Sequence, residues 1–426
     1  MRRYFDYFFS LALSSTAKNT YLTTFGAGLN ALLGFIFWII IARSLSPSDF
    51  GLFSVVFNLI SILYVICDVG ISSSVLRFLP QAIRDAKKEE EKQIIKLSFL
   101  IILVTSGILA LALVLFSSPV ANFIFAKKEL TLPLVITSFS LIGLSLSYLF
   151  VAVLQGKQRF LFGVITESSI ILLKVMATII LLLLGRLNFI SVLIIFSLTS
   201  FTGLLIGLFF ISLDFFSVRA NFELLKTIFG FGIWVALARI ANAASSRIDT
   251  LMLVRFVESS QVGFYAAAQR MTFIFPVLVT GATVVLSPKF AALKTAAEAK
   301  SFMKKSSLLI GSLFLPVVLL FFLAPWVTTR IYGQVYQPSI YIFRWLLFSS
   351  FFFIASTIPV TAIIYYLGKS RFFAILSVIQ LVVIFLANLI LIPKFGVIGP
   401  AISLAIAYGM VFLISLFFVF RKFKEK

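Results

Sequence analysis

The chain has 426 residues, of which 61% are hydrophobic and 12% charged, with 51 Phe, one Cys and no His. A soluble domain carries about 25% charged residues, so this composition belongs to a protein that crosses a membrane many times. The net charge of +21 would suggest nucleic acid in a soluble chain, but its basic residues fall in short connectors between apolar runs, so no nucleic-acid partner is expected.

The lack of His excludes imidazole acid-base chemistry, His metal ligands and His proton relays, and the single Cys67 excludes a disulfide within the chain. Residues 1–19 carry Arg2 and Arg3 ahead of a short apolar stretch that Asp6 interrupts and Lys18 closes, a pattern that fits a cytoplasmic interfacial helix better than a signal peptide. Crossing the hydrocarbon takes about 20 mostly apolar residues. Twelve such stretches follow, at 20–42, 51–76, 97–117, 132–154, 160–184, 190–213, 228–253, 263–287, 306–328, 341–366, 372–392 and 398–420. They divide into an N-lobe at 20–213, a cytoplasmic linker at 214–227, a C-lobe at 228–420 and a basic tail at 421–426. The longest connectors, 79–96 and 288–305, suit helical links and are too short for a catalytic domain, which argues against an enzyme.

One unit is written twice. Gly156-Lys157-Gln158-Arg159-Phe160 and Gly368-Lys369-Ser370-Arg371-Phe372 match at four of five positions, 212 residues apart in a chain of 426. The same offset pairs Asn30 with Asn242, Arg43 with Arg255, Ser48 with Ser260 and Gly51 with Gly263. Repeats in an apolar chain are characteristic of transporters. Alternate connectors also sort by charge: with the N-terminus inside, 24 basic residues face the cytoplasm and 7 face outward. The positive-inside rule therefore puts both termini in the cytoplasm of a cell-membrane protein. Six spans per half give both halves one orientation, so the expected architecture is all-α: twelve transmembrane helices in two six-helix lobes, related by pseudo-two-fold symmetry about the membrane normal, with a cleft between them.

Five basic residues remain within spans, Lys174, Arg239, Arg247, Arg270 and Arg344, in company with the acids Asp68, Glu167 and Asp249. Each cation at a helix centre costs about 2.5–3.5 kcal/mol on insertion scales, and three acids cannot neutralise five bases, so a wet cavity that receives an anion is expected. Arg239 stands about 16 Å deep from the cytoplasmic end of its span at 1.5 Å per residue, too far to snorkel, whereas Arg344 lies near a span end. On the seventh span Arg239, Asn242, Ala243, Ser246 and Thr250 share one face, flanked by Arg247 and Asp249. Glu167 and Lys174 stand two turns apart on one face of the fifth span, spaced to reach each other through a water or to form a structural bridge. The expected substrate-binding set is Arg239, Arg247, Arg270, Arg344 and Lys174 with the amides Asn30, Asn58 and Asn242; Glu167, Asp68 and Asp249 are the candidates for ion or proton coupling. Intramembrane charge is −1 in the first half and +3 in the second, so the second lobe is expected to hold an anionic headgroup while an acid of the first couples to an ion. Pro276, Pro316, Pro325 and Pro359 fall within spans, where bends suit rocking between two states.

The segment Ala42-Arg43-Ser44-Leu45-Ser46-Pro47-Ser48-Asp49-Phe50-Gly51-Leu52-Phe53 resembles the connector between the first two spans of Wzx-type polysaccharide flippases in the multidrug/oligosaccharidyl-lipid/polysaccharide exporter superfamily. Asp68-Val69-Gly70-Ile71-Ser72, Arg247-Ile248-Asp249, Val262 to Arg270 and Leu391 to Ala401 are similar to later segments of that family. The resemblance implies transfer of an undecaprenyl-diphosphate-linked oligosaccharide from the cytoplasmic to the outer leaflet in O-antigen or capsule-type synthesis. It also implies a cationic lumen, a polysaccharide polymerase and glycosyltransferases as partners, and no cofactor beyond proton or sodium coupling. The competing expectation is a multidrug and toxin extruder of the same superfamily, a cation-coupled antiporter that would favour an acidic interior.

Overall fold

The computed structural model describes residues 15–219 and 221–424; residues 1–14 of the interfacial segment expected at 1–19, and residues 425–426 of the basic tail, lie outside the described residues, while residues 15–19 open the first helix. Every regular element among the described residues is a helix. In chain order these are α1 (Ser15–Ser44), α2 (Pro47–Asp68), α3 (Ile71–Arg84), α4 (Lys88–Leu115), α5 (Thr131–Gly156), α6 (Phe160–Leu183), α7 (Phe189–Thr199), α8 (Thr202–Phe210) and α9 (Phe222–Ser245). They continue with α10 (Ile248–Phe256), α11 (Ser259–Thr272), α12 (Ile274–Ala291), α13 (Ala296–Gly311), α14 (Phe314–Tyr332), α15 (Ser339–Thr361), α16 (Ser370–Phe395) and α17 (Gly399–Lys424). Among the described residues, eleven stretches are long and apolar enough to span a membrane, and the last, Arg371–Phe423, holds both α16 and α17 around a turn at Gly396–Ile398. That makes twelve crossings in two sets of six. Leu183, Phe209 and Leu308 are each more than 80% exposed, a placement that only lipid makes favourable.

Several spans expected to run unbroken are broken. The second ends at Asp68, where Val69 and Gly70 take φ of 46° and 75°, and the chain resumes as α3. A side chain at Gly70 would strike the carbonyl of Gly232 on α9, so glycine is required there by both angle and space. α3 is amphipathic: Ile71, Val75, Leu79 and Ala82 recur at helical spacing and are buried against Leu149, Phe150 and Val153 of α5. The Ser74 hydroxyl donates to the Ile228 carbonyl at 2.8 Å, and the Arg77 guanidinium lies 4.4 Å from the Phe231 ring centroid, joining α3 to α9.

The seventh span breaks at Arg247, whose backbone is non-helical. The Ser246 hydroxyl donates to the carbonyls of Asn242 and Ala243, competing with the helix for its own acceptors. The face expected to run from Arg239 to Thr250 therefore does not continue as one stripe. Pro276 and Pro316 lie in the first turns of α12 and α14, where a missing N–H costs least, so the eighth and ninth spans are each two-piece. Pro325 and Pro359 lie inside α14 and α15. The connectors expected as helical links are largely helical, and α13 opens with a reciprocal Thr295–Glu298 cap. The two matched loops differ locally: α6 starts at Phe160 and α16 at Ser370, two positions apart in the repeat register, and a π-turn at Ala362–Tyr366 precedes the second loop.

The chain forms two compact units, one of residues up to Ser44 with Leu59–Ile240 and one of Leu45–Asn58 with Ala241–Lys426. α9 falls mostly in the first unit, although its sequence position lies in the second half. In the second unit, the first turns of α2 and α11 cross backbone to backbone at Gly51 and Gly263. A methyl group on Gly51 would fall on the Ser259 carbonyl and lie 2.7 Å from the Gly263 nitrogen, while one on Gly263 would fall on the Pro47 carbonyl. Pro47 and Ser259 are themselves 212 residues apart, so the contact is reciprocal about a local two-fold.

Candidate functional site

The first unit contains a cavity of about 290 Å³. Its wall takes Tyr64 and Asp68 from α2, Ser72, Ser73 and Leu76 from α3, Ser145, Tyr148, Val151, Ala152 and Gln155 from α5, Glu167 from α6 and Arg239 from α9. Helical spacing explains the set. Tyr64 and Asp68 are one turn apart, and Ser145, Tyr148, Ala152 and Gln155 follow a three-and-four-residue rhythm along one face of α5. The Tyr64 and Tyr148 rings stand 5.3 Å apart, tilted by 33°.

Asp68 organises one side of this wall. Its carboxylate accepts the Ser72 N–H at 3.1 Å, the Ser72 hydroxyl and the Arg239 Nη1 at 2.5 Å. It thus places negative charge at the start of α3, where the helix dipole favours it. The side chain of Asp68 is 5% exposed and that of Arg239 35%, so the pair has one buried end and one end facing the cavity. Arg239, expected in the substrate-binding set, is paired with Asp68. Sequence spacing cannot register this partner because the two lie 171 positions apart. Glu167 stands elsewhere on the wall and accepts a hydrogen bond from the Asn30 side chain.

The other expected residues are dispersed. Lys174 is buried, with its ammonium 4.8 Å from the Phe196 ring centroid and 5.6 Å from that of Phe37, and among the described residues it forms no ion pair with Glu167. Two aromatic faces hold it in place of an acid. Lys174→Met should therefore leave folding and transport close to wild type, within about 1 kcal/mol by thermal unfolding, because a similar volume fills the site without a buried charge. Loss of transport in that variant would assign Lys174 to the cargo path instead.

Arg344 donates from Nε to the Phe321 carbonyl at 3.2 Å and lies over the same ring, which ties α15 to α14. In the second unit the Arg270 guanidinium lies 5.0 Å from the Phe57 ring centroid, within electrostatic range of Arg247. Arg247 donates to the Ser246 hydroxyl at 2.8 Å. Asp249 is buried and accepts from the Tyr265 hydroxyl at 2.5 Å, the Gln269 amide at 2.8 Å and the Thr250 N–H at 2.7 Å. Asn242 is exposed, and Asn58 is buried. Of the expected set, one cavity gathers Arg239, Asp68 and Glu167, with Asn30 hydrogen-bonded to Glu167. Sequence reasoning missed Tyr64, Tyr148 and Gln155, although the spacing on α5 was available as a signal. No cluster of three acidic, Cys or His side chains suited to a metal occurs among the described residues.

Residues 16–294 match the sequence model of the family described as polysaccharide biosynthesis protein. The chain is 24% identical over 412 residues to a proposed O-antigen transporter from Shigella flexneri, covering 92% of this chain and 94% of that protein. Its structure is similar to the lipid II flippase MurJ in an inward closed conformation, with a TM-score of 0.76 at 14% identity over 93% of this chain and 87% of the other. An inward-facing multidrug resistance transporter of the MATE family also has a TM-score of 0.76, at 14% identity over 93% of this chain and 95% of the other. These structural likenesses establish a shared transporter fold. The chain belongs to the polysaccharide biosynthesis protein family and has the fold of the MOP superfamily.

Proposed function

We propose that the protein is a flippase that moves an undecaprenyl-diphosphate-linked oligosaccharide from the cytoplasmic to the outer leaflet by alternating access, during assembly of a surface polysaccharide. Family membership supports this reading, as do the names of two similar proteins, one a proposed O-antigen transporter and the other a flippase for lipid II. The observation that carries it is a cavity that brings Asp68, Glu167, Arg239 and further polar side chains together inside a largely apolar helical unit. In the orientation favoured by 24 inner against 7 outer basic residues, every wall residue lies in the cytoplasmic half of its span or just inside it. Cargo entering from the cytoplasmic leaflet meets that cavity first. Arg247 and Arg270, close together in the second unit, are the cations suited to a diphosphate. Glu167 is the acid suited to proton coupling. The polymerase and glycosyltransferases that share the lipid-linked intermediate are the expected functional partners.

A strain lacking the gene should accumulate lipid-linked oligosaccharide on the cytoplasmic leaflet. The intact chain should restore export, whereas a variant carrying Arg247→Ala and Arg270→Ala should lose about tenfold or more of it at equal membrane abundance. Glu167→Gln should abolish dependence on the proton gradient, and unchanged export with unchanged gradient dependence would remove Glu167 from coupling. Extrusion of cationic compounds is a second reading, favoured by the single net negative charge on the cavity wall. Drug sensitivity of the same strain without a glycan defect would select it.

A further inference from the structure

We propose that the cavity of the first unit is a carbohydrate subsite, which receives a sugar ring of the cargo while the diphosphate binds elsewhere; this rests on the flippase reading above. Charge is the first reason. The wall holds two carboxylates and one guanidinium, and Arg239 is already in contact with Asp68, so the wall carries a net charge of −1 centred on Glu167. A diphosphate brought here would meet repulsion from Glu167 and would find its only cation engaged. An uncharged sugar has neither cost.

Shape and chemistry are the second. Tyr64 and Tyr148 place two aromatic rings 5.3 Å apart along the wall, surfaces against which the C–H face of a pyranose packs. Around them stand groups that match vicinal hydroxyls: fixed carboxylate oxygens on Asp68 and Glu167, the amide of Gln155 with both donors and an acceptor, and the hydroxyl of Ser73. Asp68 is held by Ser72 and Arg239, and Glu167 by Asn30, so the acceptors are positioned before a ligand arrives. A volume of about 290 Å³ suits one or two rings and is far too small for a long oligosaccharide.

The test uses the full-length protein in lipid nanodiscs and native mass spectrometry with two probes, undecaprenyl diphosphate and undecaprenyl diphosphate bearing N-acetylglucosamine. The wild type should bind the sugar-bearing lipid more tightly. Tyr148→Ala and Gln155→Ala should each weaken that probe by about two- to tenfold while leaving the sugarless lipid unchanged. Tyr148→Phe, which keeps the ring, should retain most of the preference, and this conservative variant guards against a fold defect. Equal weakening of both probes, or no effect of either alanine variant, overturns the subsite. Glu167-dependent binding of tetraphenylphosphonium without discrimination between the two lipids also overturns it and assigns the cavity to organic cations. If the wild type binds both lipids equally, the subsite alone fails; if it binds neither, the flippase reading fails first.

Discussion

Gly51→Leu and Gly263→Leu should each prevent α2 from seating against α11 and lower the apparent Tm of the purified protein by about 3 °C or more, equivalent to about 3 kcal/mol or more in a chain of 426 residues. The reason is the backbone crossing itself. Any β-carbon at Gly51 falls on the Ser259 carbonyl, and any at Gly263 falls on the Pro47 carbonyl, so no rotamer relieves the clash and the helices must move apart. Even alanine should be costly at both positions. Because the contact is reciprocal in the 212-residue register, the two substitutions should match within about 1 kcal/mol, a stronger demand than either effect alone. Thermal unfolding in one detergent, with membrane abundance measured alongside, tests both. A Gly263→Leu protein that unfolds at the wild-type temperature would mean the helices do not cross at these residues.

The Asp68–Arg239 pair should be asymmetric under mutation. Arg239→Met leaves a carboxylate that is 5% exposed with only Ser72 as donor, and should cost about 3–5 kcal/mol. Asp68→Asn leaves a guanidinium that is 35% exposed to the cavity, where water solvates it, and should cost about 1–2 kcal/mol. The variant carrying both changes should recover to within about 2 kcal/mol of wild type, since neither charge is then left alone. Denaturation of the four proteins closes a double-mutant cycle. A larger loss from Asp68→Asn than from Arg239→Met would reverse the assignment of which end of the pair is buried.

Much of the architecture was legible before any coordinates. The apolar runs gave twelve spans because backbone groups in hydrocarbon must bond within a helix, and a length of about 20 residues is imposed from outside the protein. The match of the two Gly-Lys-x-Arg-Phe loops announced the repeat that returns as the Gly51–Gly263 crossing. Breaks were less legible. The apolar character of 51–76 continues straight through Val69 and Gly70, and only the close approach of Gly232 explains why the helix turns there. Similarly, Lys174 looked like a partner for Glu167 by spacing, yet Phe37 and Phe196 surround its ammonium from other helices.

What the chain determined by itself was the number of spans, the internal repeat and the inventory of charges placed in apolar surroundings, because hydrophobic length and charge cost act locally along the sequence. Only the tertiary structure decided which groups meet: Arg239 with Asp68, Arg344 with the Phe321 carbonyl, and Tyr64 with Tyr148 along the wall of a cavity. Such partners are chosen by helix packing between segments far apart in the chain, and periodicity along one helix carries no information about the face of another.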